Sequence, residues 1–278
     1  VLVQITPVPT LTNDNTPDYT FFSTLSGTIN YGGSSCSSRS DNRSVTGEDN
    51  NTITFRKPND GDLDEVTYTS DNCTLSVTTN GGEVSDNLLV SSFVVDTTTP
   101  TLSIVTIASN NDNTTMAKIG DRITLLITSA EPIQTPSVKI DNQTAEVSEI
   151  SSETSWRAYD DMTSINSEGP VSLSIDFSDL ADNDGSTVTS TTNSSAVQFD
   201  KTSPTVSQTT AVPTTTSDNT SSYTFYSTEA GAITYGGPCS SSDNYTTTEA
   251  DNITTVTFNA LADNTYRTCT ITVTDSAG

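Results

Sequence analysis

The sequence predicts an all-β fold of three tandem sandwiches, from strand-like alternation, an internal duplication and a recurring junction. Segments such as "ITLLITS" (123–129) and "VSLSIDFSDL" (171–180) alternate apolar and polar residues as half-buried strands do, and no window sustains a helical period. The stretch "VPTLTNDNTPDYTFFSTLSGTINYGG" (8–33) runs without a gap against "VPTTTSDNTSSYTFYSTEAGAITYGG" (212–237). Two apolar strands end in the same way, with an Asp and then a Pro: "SSFVVDTTTP" (91–100) and "SAVQFDKTSP" (195–204). Proline cannot donate to a strand ladder and stiffens a linker, so these points read as unit boundaries.

The units are therefore expected at 1–96, 97–200 and 201–278, each near the roughly 100 residues of an immunoglobulin-type sandwich. The first and third are copies, since "NTITF" (51–55) answers "TTVTF" (254–258) and "CTLSV" (73–77) answers "CTITV" (269–273). The middle unit has the same strand grammar in different words. The third stops after "VTDSAG" (273–278), with no counterpart of the first unit's "NLLVSSFVVD" (87–96). Either the polypeptide extends beyond this sequence, or a strand donated from elsewhere, as from an identical chain in a filament, completes the sandwich. The N-terminus offers no spare strand, because Leu2 aligns with Val206 inside the third unit.

Composition limits the partners. Apolar residues make up 31% of the 278 positions, little for one large core but enough for several small β-domains. A formal net charge of −25, with ten Lys plus Arg and no His, repels nucleic acid and anionic membrane. No stretch approaches the ~20 apolar residues of a membrane-spanning helix. Val1 already lies in strand-like sequence, so the chain reads as part of a larger polypeptide.

The four cysteines fall at matching places in the two copies, Cys36 and Cys73 in one, Cys239 and Cys269 in the other. Zinc is disfavoured by the lack of His and of closely spaced pairs, and a reactive thiol by flanks of Ser, Thr and Asn. Disulfides Cys36–Cys73 and Cys239–Cys269 would staple strands within each unit and imply an oxidising, extracellular compartment. A histidine-dependent triad is impossible, no glycine-rich phosphate loop opens a helix, and no enzyme activity is expected.

Calcium is the expected cofactor, because carboxylates in loops bind it. "DLADNDG" (179–185) sets Asp179, Asp182 and Asp184 in one turn, and "VTDSAG" places Asp275 at a similar turn. Asp96 and Asp200 end the closing strands, where each could share an ion with the next unit. The competing explanation is that Asp and Asn favour turns and cap their own backbone.

The closing Asp-x-x-x-Pro junctions, "VTDSAG", "GDRITLLITSAEPI" (120–133), "SWRAY" (155–159) and "VSLSIDFSDLADNDG" (171–185) resemble tandem bacterial immunoglobulin-like domains of large extracellular adhesins. That resemblance implies a structural stalk of such domains, neighbouring domains of the same polypeptide as partners, and calcium at Asp179, Asp275, Asp96 and Asp200. The first unit departs from the pattern, with Thr79 in the place of Asp275, and Asp182 stands where the family's turn has Gly. A carbohydrate- or ligand-binding module is the other alternative. It would show exposed aromatic residues at one end, whereas Trp156 lies on an expected strand.

Overall fold

A computed structural model describes residues 1–33, 35–38, 43–242, 246–247 and 252–278. These form strands, bridges and turns, with no helix among them. The architecture is that of immunoglobulin-like β-sandwiches. Three clusters of buried apolar side chains divide the chain, spanning Val8 to Val95, Val105 to Phe199 and Phe225 to Val273.

Each cluster lies between two sheets. In the first unit, Leu2–Thr6, Asp18–Ser23 and Asp49–Thr54 make one antiparallel sheet. Opposite it stand Ser44–Val45, Gly27–Gly32, Thr74–Thr79 and Leu88–Leu89. The period of two explains which residues go inward: Tyr19, Phe21 and Ser23 are buried while their neighbours are not. The middle unit repeats the plan with Leu102–Ser109, Arg122–Ser129, Ser155–Asp161 and Glu146–Ser151 facing a sheet that includes Ser137–Ile140 and Leu173–Asp176. Ile123, Leu125 and Ile127 fill its core, and Trp156 is 4% exposed with its indole nitrogen donating to the Glu153 carbonyl at 3.2 Å. The tryptophan is a core residue.

The duplication extends to register. Leu2 pairs with Ser23 as Val206 pairs with Ser227, and both ladders slip at the same place, between Gln4 and Thr6 and between Gln208 and Thr210. The opening strand of the chain is thus fully used in its own unit.

The repeated Tyr-Gly-Gly follows from backbone geometry. Gly33 and Gly237 have φ of 88° and 71°, in the left-handed region that favours glycine. A Cβ on Gly33 would lie 2.2 Å from the Asn72 carbonyl oxygen, and one on Gly237 2.1 Å from that of Thr268. Each glycine lets one strand end press against the backbone just before the second cysteine. The bonds Cys36–Cys73 and Cys239–Cys269 close there, across Cα–Cα distances of 5.2 and 5.3 Å.

The closing strands complete two of the three units. Phe93–Val95 runs parallel to Leu11–Thr12, and Gln198–Phe199 runs parallel to Met116–Ala117. No such strand lies beside residues 214–216 among the described residues, and the third core is the smallest, with Val212, Tyr223 and Ile271 only partly buried.

Candidate metal centres at the junctions

Each closing strand delivers an aspartate to the next unit. Asp96 is anchored by its backbone nitrogen donating to the Thr12 carbonyl at 2.9 Å, and its Oδ1 accepts from the Thr98 nitrogen at 3.1 Å. Asp200 repeats both bonds, to the Ala117 carbonyl at 2.8 Å and from the Thr202 nitrogen at 3.1 Å. The strand sets the position of the carboxylate, and the turn that follows sets its rotamer.

The next unit contributes two more carboxylates. Asp179 is 2% exposed. Its Oδ1 accepts from the backbone nitrogens of Ala181 and Asn183, both at 2.8 Å, and its Oδ2 from the Asn183 amide at 2.8 Å. The same amide nitrogen donates to the Asp96 carbonyl at 2.8 Å, so one asparagine ties the turn to the preceding unit. In the third unit Asp275 Oδ1 accepts from Ala277 and Gly278, each at 2.8 Å. The second contributor is a glutamate just beyond a strand, Glu131 after Arg122–Ser129 and Glu229 after Ser222–Ser227. The serine that ends each strand, Ser129 or Ser227, donates its hydroxyl to the glutamate's carbonyl oxygen and fixes the bend.

The result is two groups, Asp96–Glu131–Asp179 and Asp200–Glu229–Asp275. Within each, one carboxylate oxygen per residue lies within 4.8 Å of the others. Three hard anionic oxygens on loops suit a divalent cation of the calcium type. Without a cation, each like-charge pair at that separation costs about 3 kcal/mol at an effective dielectric of about 20. Burial, reinforced by Asp96 and Asp179, holds the Glu131 carboxyl above its usual range. Burial likewise raises Glu229, with Asp200, Asp275 and Glu168 adding to it. Among the described residues, the ion pairs are Arg56–Asp62, Lys57–Asp64 and Arg122–Asp161, and none reaches the first group.

Of the aspartates expected as ligands, Asp96 and Asp179 meet at one junction, and Asp200 and Asp275 at the other. Asp182 and Asp184 belong to neither group. Asp182 sits at φ 68°, and its Oδ1 accepts from Gln134 at 2.6 Å instead, while Asp184 pairs across the turn with Ser178. Glu131 and Glu229 were missed by sequence reasoning, although the duplication carried a signal for one of them. The two copies differ at Leu25 against Glu229 and at Thr79 against Asp275, so both carboxylates are replaced together in the first unit. There Leu25 packs on the core instead.

The junctions carry further contacts. Asn13 donates to the Asp182 carbonyl at 3.0 Å, Asn111 to that of Ala277 at 2.8 Å, and Lys118 to that of Gly278 at 2.7 Å. The linker threonines are held as well, Thr98 by Glu65 and Thr202 by Glu168.

No protein-family model matches the chain, and no curated protein matches it. Among solved structures, a marsupial T cell receptor is similar at 9% identity over 98% of this chain and 96% of that one, with a TM-score of 0.34. The D00-D0 domain of Intimin is similar at 13% identity over 72% of this chain and all of that one, with a TM-score of 0.27. The immunoglobulin-like assignment rests on the sheet order and register described above. No helix among the described residues is long and apolar enough to cross a membrane.

Proposed function

We propose that the chain is a structural, non-catalytic stalk segment of a larger extracellular protein of the adhesin type. Its units are 1–96, 97–200 and 201–278, and its partners are neighbouring domains of the same polypeptide. Calcium is the ion at both junctions, held by Asp96, Glu131 and Asp179 and by Asp200, Glu229 and Asp275. A bound divalent ion would offset two of the three negative charges, and the three carboxylates that hold it come from two successive units. The observation that carries this reading is that each three-carboxylate group is assembled from two successive units.

The turns carry the rest of the work. Asp179 and Asp275 spend one oxygen on the backbone nitrogens of their own turns, which fixes their carboxylates before any ion arrives. Asn183 and Asn13 hold the first junction in register without metal, and Asn111 and Lys118 hold the second. The disulfides brace the two copied units and fit an oxidising compartment. Mutual repulsion of the acidic units favours an extended chain.

Small-angle scattering in chelator and in millimolar calcium tests the proposal. Calcium should lengthen the chain and narrow its distance distribution, and magnesium at equal concentration should do so less. Identical profiles with and without calcium would refute it.

A further inference from the structure

The strand Thr74–Thr79 turns back on itself through an exposed loop. The Gly82 nitrogen donates to the Thr79 carbonyl at 2.9 Å, and Gly82 takes a left-handed φ of 86°. A tight turn followed by a left-handed glycine is a common three-residue hairpin connection. The returning chain is held by the Thr79 nitrogen on the Glu83 carbonyl at 2.8 Å and by the Ser85 nitrogen on the Val77 carbonyl at 2.9 Å. Asn80, Gly81 and Gly82 are all exposed, and the Asn80 side chain takes part in none of these bonds.

Asn80-Gly81 is the one Asn-Gly pair in the sequence. Every other asparagine is followed by a residue with a side chain, which crowds the next backbone nitrogen. Several of those asparagines are also engaged. Asn72 Oδ1 accepts from the Thr69 nitrogen at 2.8 Å, the Asn51 amide donates to the Thr46 and Asp49 carbonyls at 3.0 Å, and Asn166 is 2% exposed. In the third unit the corresponding pair is Ser276-Ala277, so the copy lacks the combination.

We propose that Asn80 is a site of spontaneous deamidation, with water as the co-reactant. The Gly81 backbone nitrogen gives up its proton to solvent base and attacks the Asn80 side-chain amide carbon. A nitrogen–carbon bond forms, the bond from that carbon to the amide nitrogen breaks, and ammonia leaves with a proton from solvent. Water then opens the cyclic imide. Opening at the side-chain carbonyl gives aspartate, and opening at the main-chain carbonyl routes the chain through the side chain as isoaspartate. Either product adds a carboxylate to the turn. Isoaspartate also lengthens the main chain by a carbon, which pulls the Gly82–Thr79 bond and the Thr79–Glu83 pairing out of register. The change stays local, because Thr74–Thr79 is anchored along Gly27–Gly32.

The test incubates the 278-residue chain at mildly alkaline pH and follows it by peptide mapping, since each conversion adds about one dalton. The first gain is expected at Asn80, as two isomeric peptides, one of them labelled by a protein isoaspartate methyltransferase. Its rate should rise with pH, because the attacking nitrogen must lose a proton. Gly81→Ala keeps the fold, since a Cβ there would meet only the Thr79 Oγ1, at 3.7 Å. It should slow the gain at least about tenfold at an unchanged melting temperature, because alanine hinders the attack and has less backbone freedom than glycine. Asn80→Ser, the third unit's residue, should abolish the gain. The isoaspartate form should lose amide-exchange protection at Thr79 and Gly82 while Leu75 keeps its own. No gain, a first gain at another asparagine, or an equal rate in Gly81→Ala overturns the proposal. So does full protection of Thr79 and Gly82 in the isoaspartate form.

Discussion

Replacing Glu131→Gln should change stability in opposite directions with and without calcium. The amide keeps the shape of the side chain, and the backbone oxygen that accepts from Ser129 is untouched. Without metal, the substitution removes two like-charge pairs, Glu131 with Asp96 and with Asp179, at separations within 4.8 Å. Each is worth about 3 kcal/mol at an effective dielectric of about 20, and solvent, salt and partial protonation of Glu131 reduce the total several-fold. A net gain of about 1–2 kcal/mol is expected in chelator. In about 10 mM calcium the wild-type site, at the roughly 10⁻⁴–10⁻³ M affinity of extracellular modules, gains about 1.4–2.7 kcal/mol from each bound ion. The variant forfeits most of that. Calorimetry of the two proteins in the two buffers reads the effect, since 1 kcal/mol moves the melting temperature of a 60–100-residue unit by about 4–8 °C. The variant should melt higher in chelator and lower in calcium. A displacement of the same sign and size in both buffers would refute the reasoning, because it would mean that Glu131 acts through packing alone.

The remaining predictions separate the contributions of turn, charge and staple. Asp179→Asn should cost about 1–3 kcal/mol in chelator, because one carboxylate oxygen that serves Ala181 and Asn183, or the one that serves the Asn183 amide, becomes a donor; chemical denaturation of the middle unit would show it. In chelator, Glu131 and Glu229 have folded pKa values raised above the usual 4.5, so their contribution to stability is fully present below that value and is lost as pH rises through the raised ones. The wild type minus Glu131→Gln/Glu229→Gln difference in urea midpoint should therefore become more unfavourable with rising pH in chelator, and lose that trend in calcium. Cys36→Ser with Cys73→Ser should cost the first unit about 4 kcal/mol on the chain-entropy account of a bridge spanning 37 residues, read in the same way.

Much of this architecture was legible in the sequence because it was written twice. The gapless match of 8–33 with 212–237 implied a shared register, and Leu2 and Val206 pair at equivalent points. The repeated Tyr-Gly-Gly shows its purpose only in the structure, where left-handed Gly33 and Gly237 let a strand end press on the backbone beside each disulfide. The candidate metal sites were only half legible. Asp96, Asp179, Asp200 and Asp275 stood out at strand ends and turns, but Glu131 and Glu229 lie beyond strand ends and are single acids among 35 Asp plus Glu. Their partners lie 29 to 48 positions away, the nearer one of each in the preceding unit, distances that a local motif cannot encode. Asp182 and Asp184 stand beside Asp179 in sequence but are not brought into its group, since closeness in sequence does not set side-chain direction. In this turn the Asp179 carboxylate folds inward to cap backbone nitrogens, and the left-handed Asp182 turns toward Gln134.

The central claim is that each junction holds its own ion between two units. Equilibrium dialysis with radioactive calcium tests this directly by counting bound ions per chain. Two equivalents are expected, one for each three-carboxylate group, falling to one in Glu131→Gln or Glu229→Gln and to none in the double variant. Binding that is absent in the wild type, or unchanged in the double variant, would contradict the account.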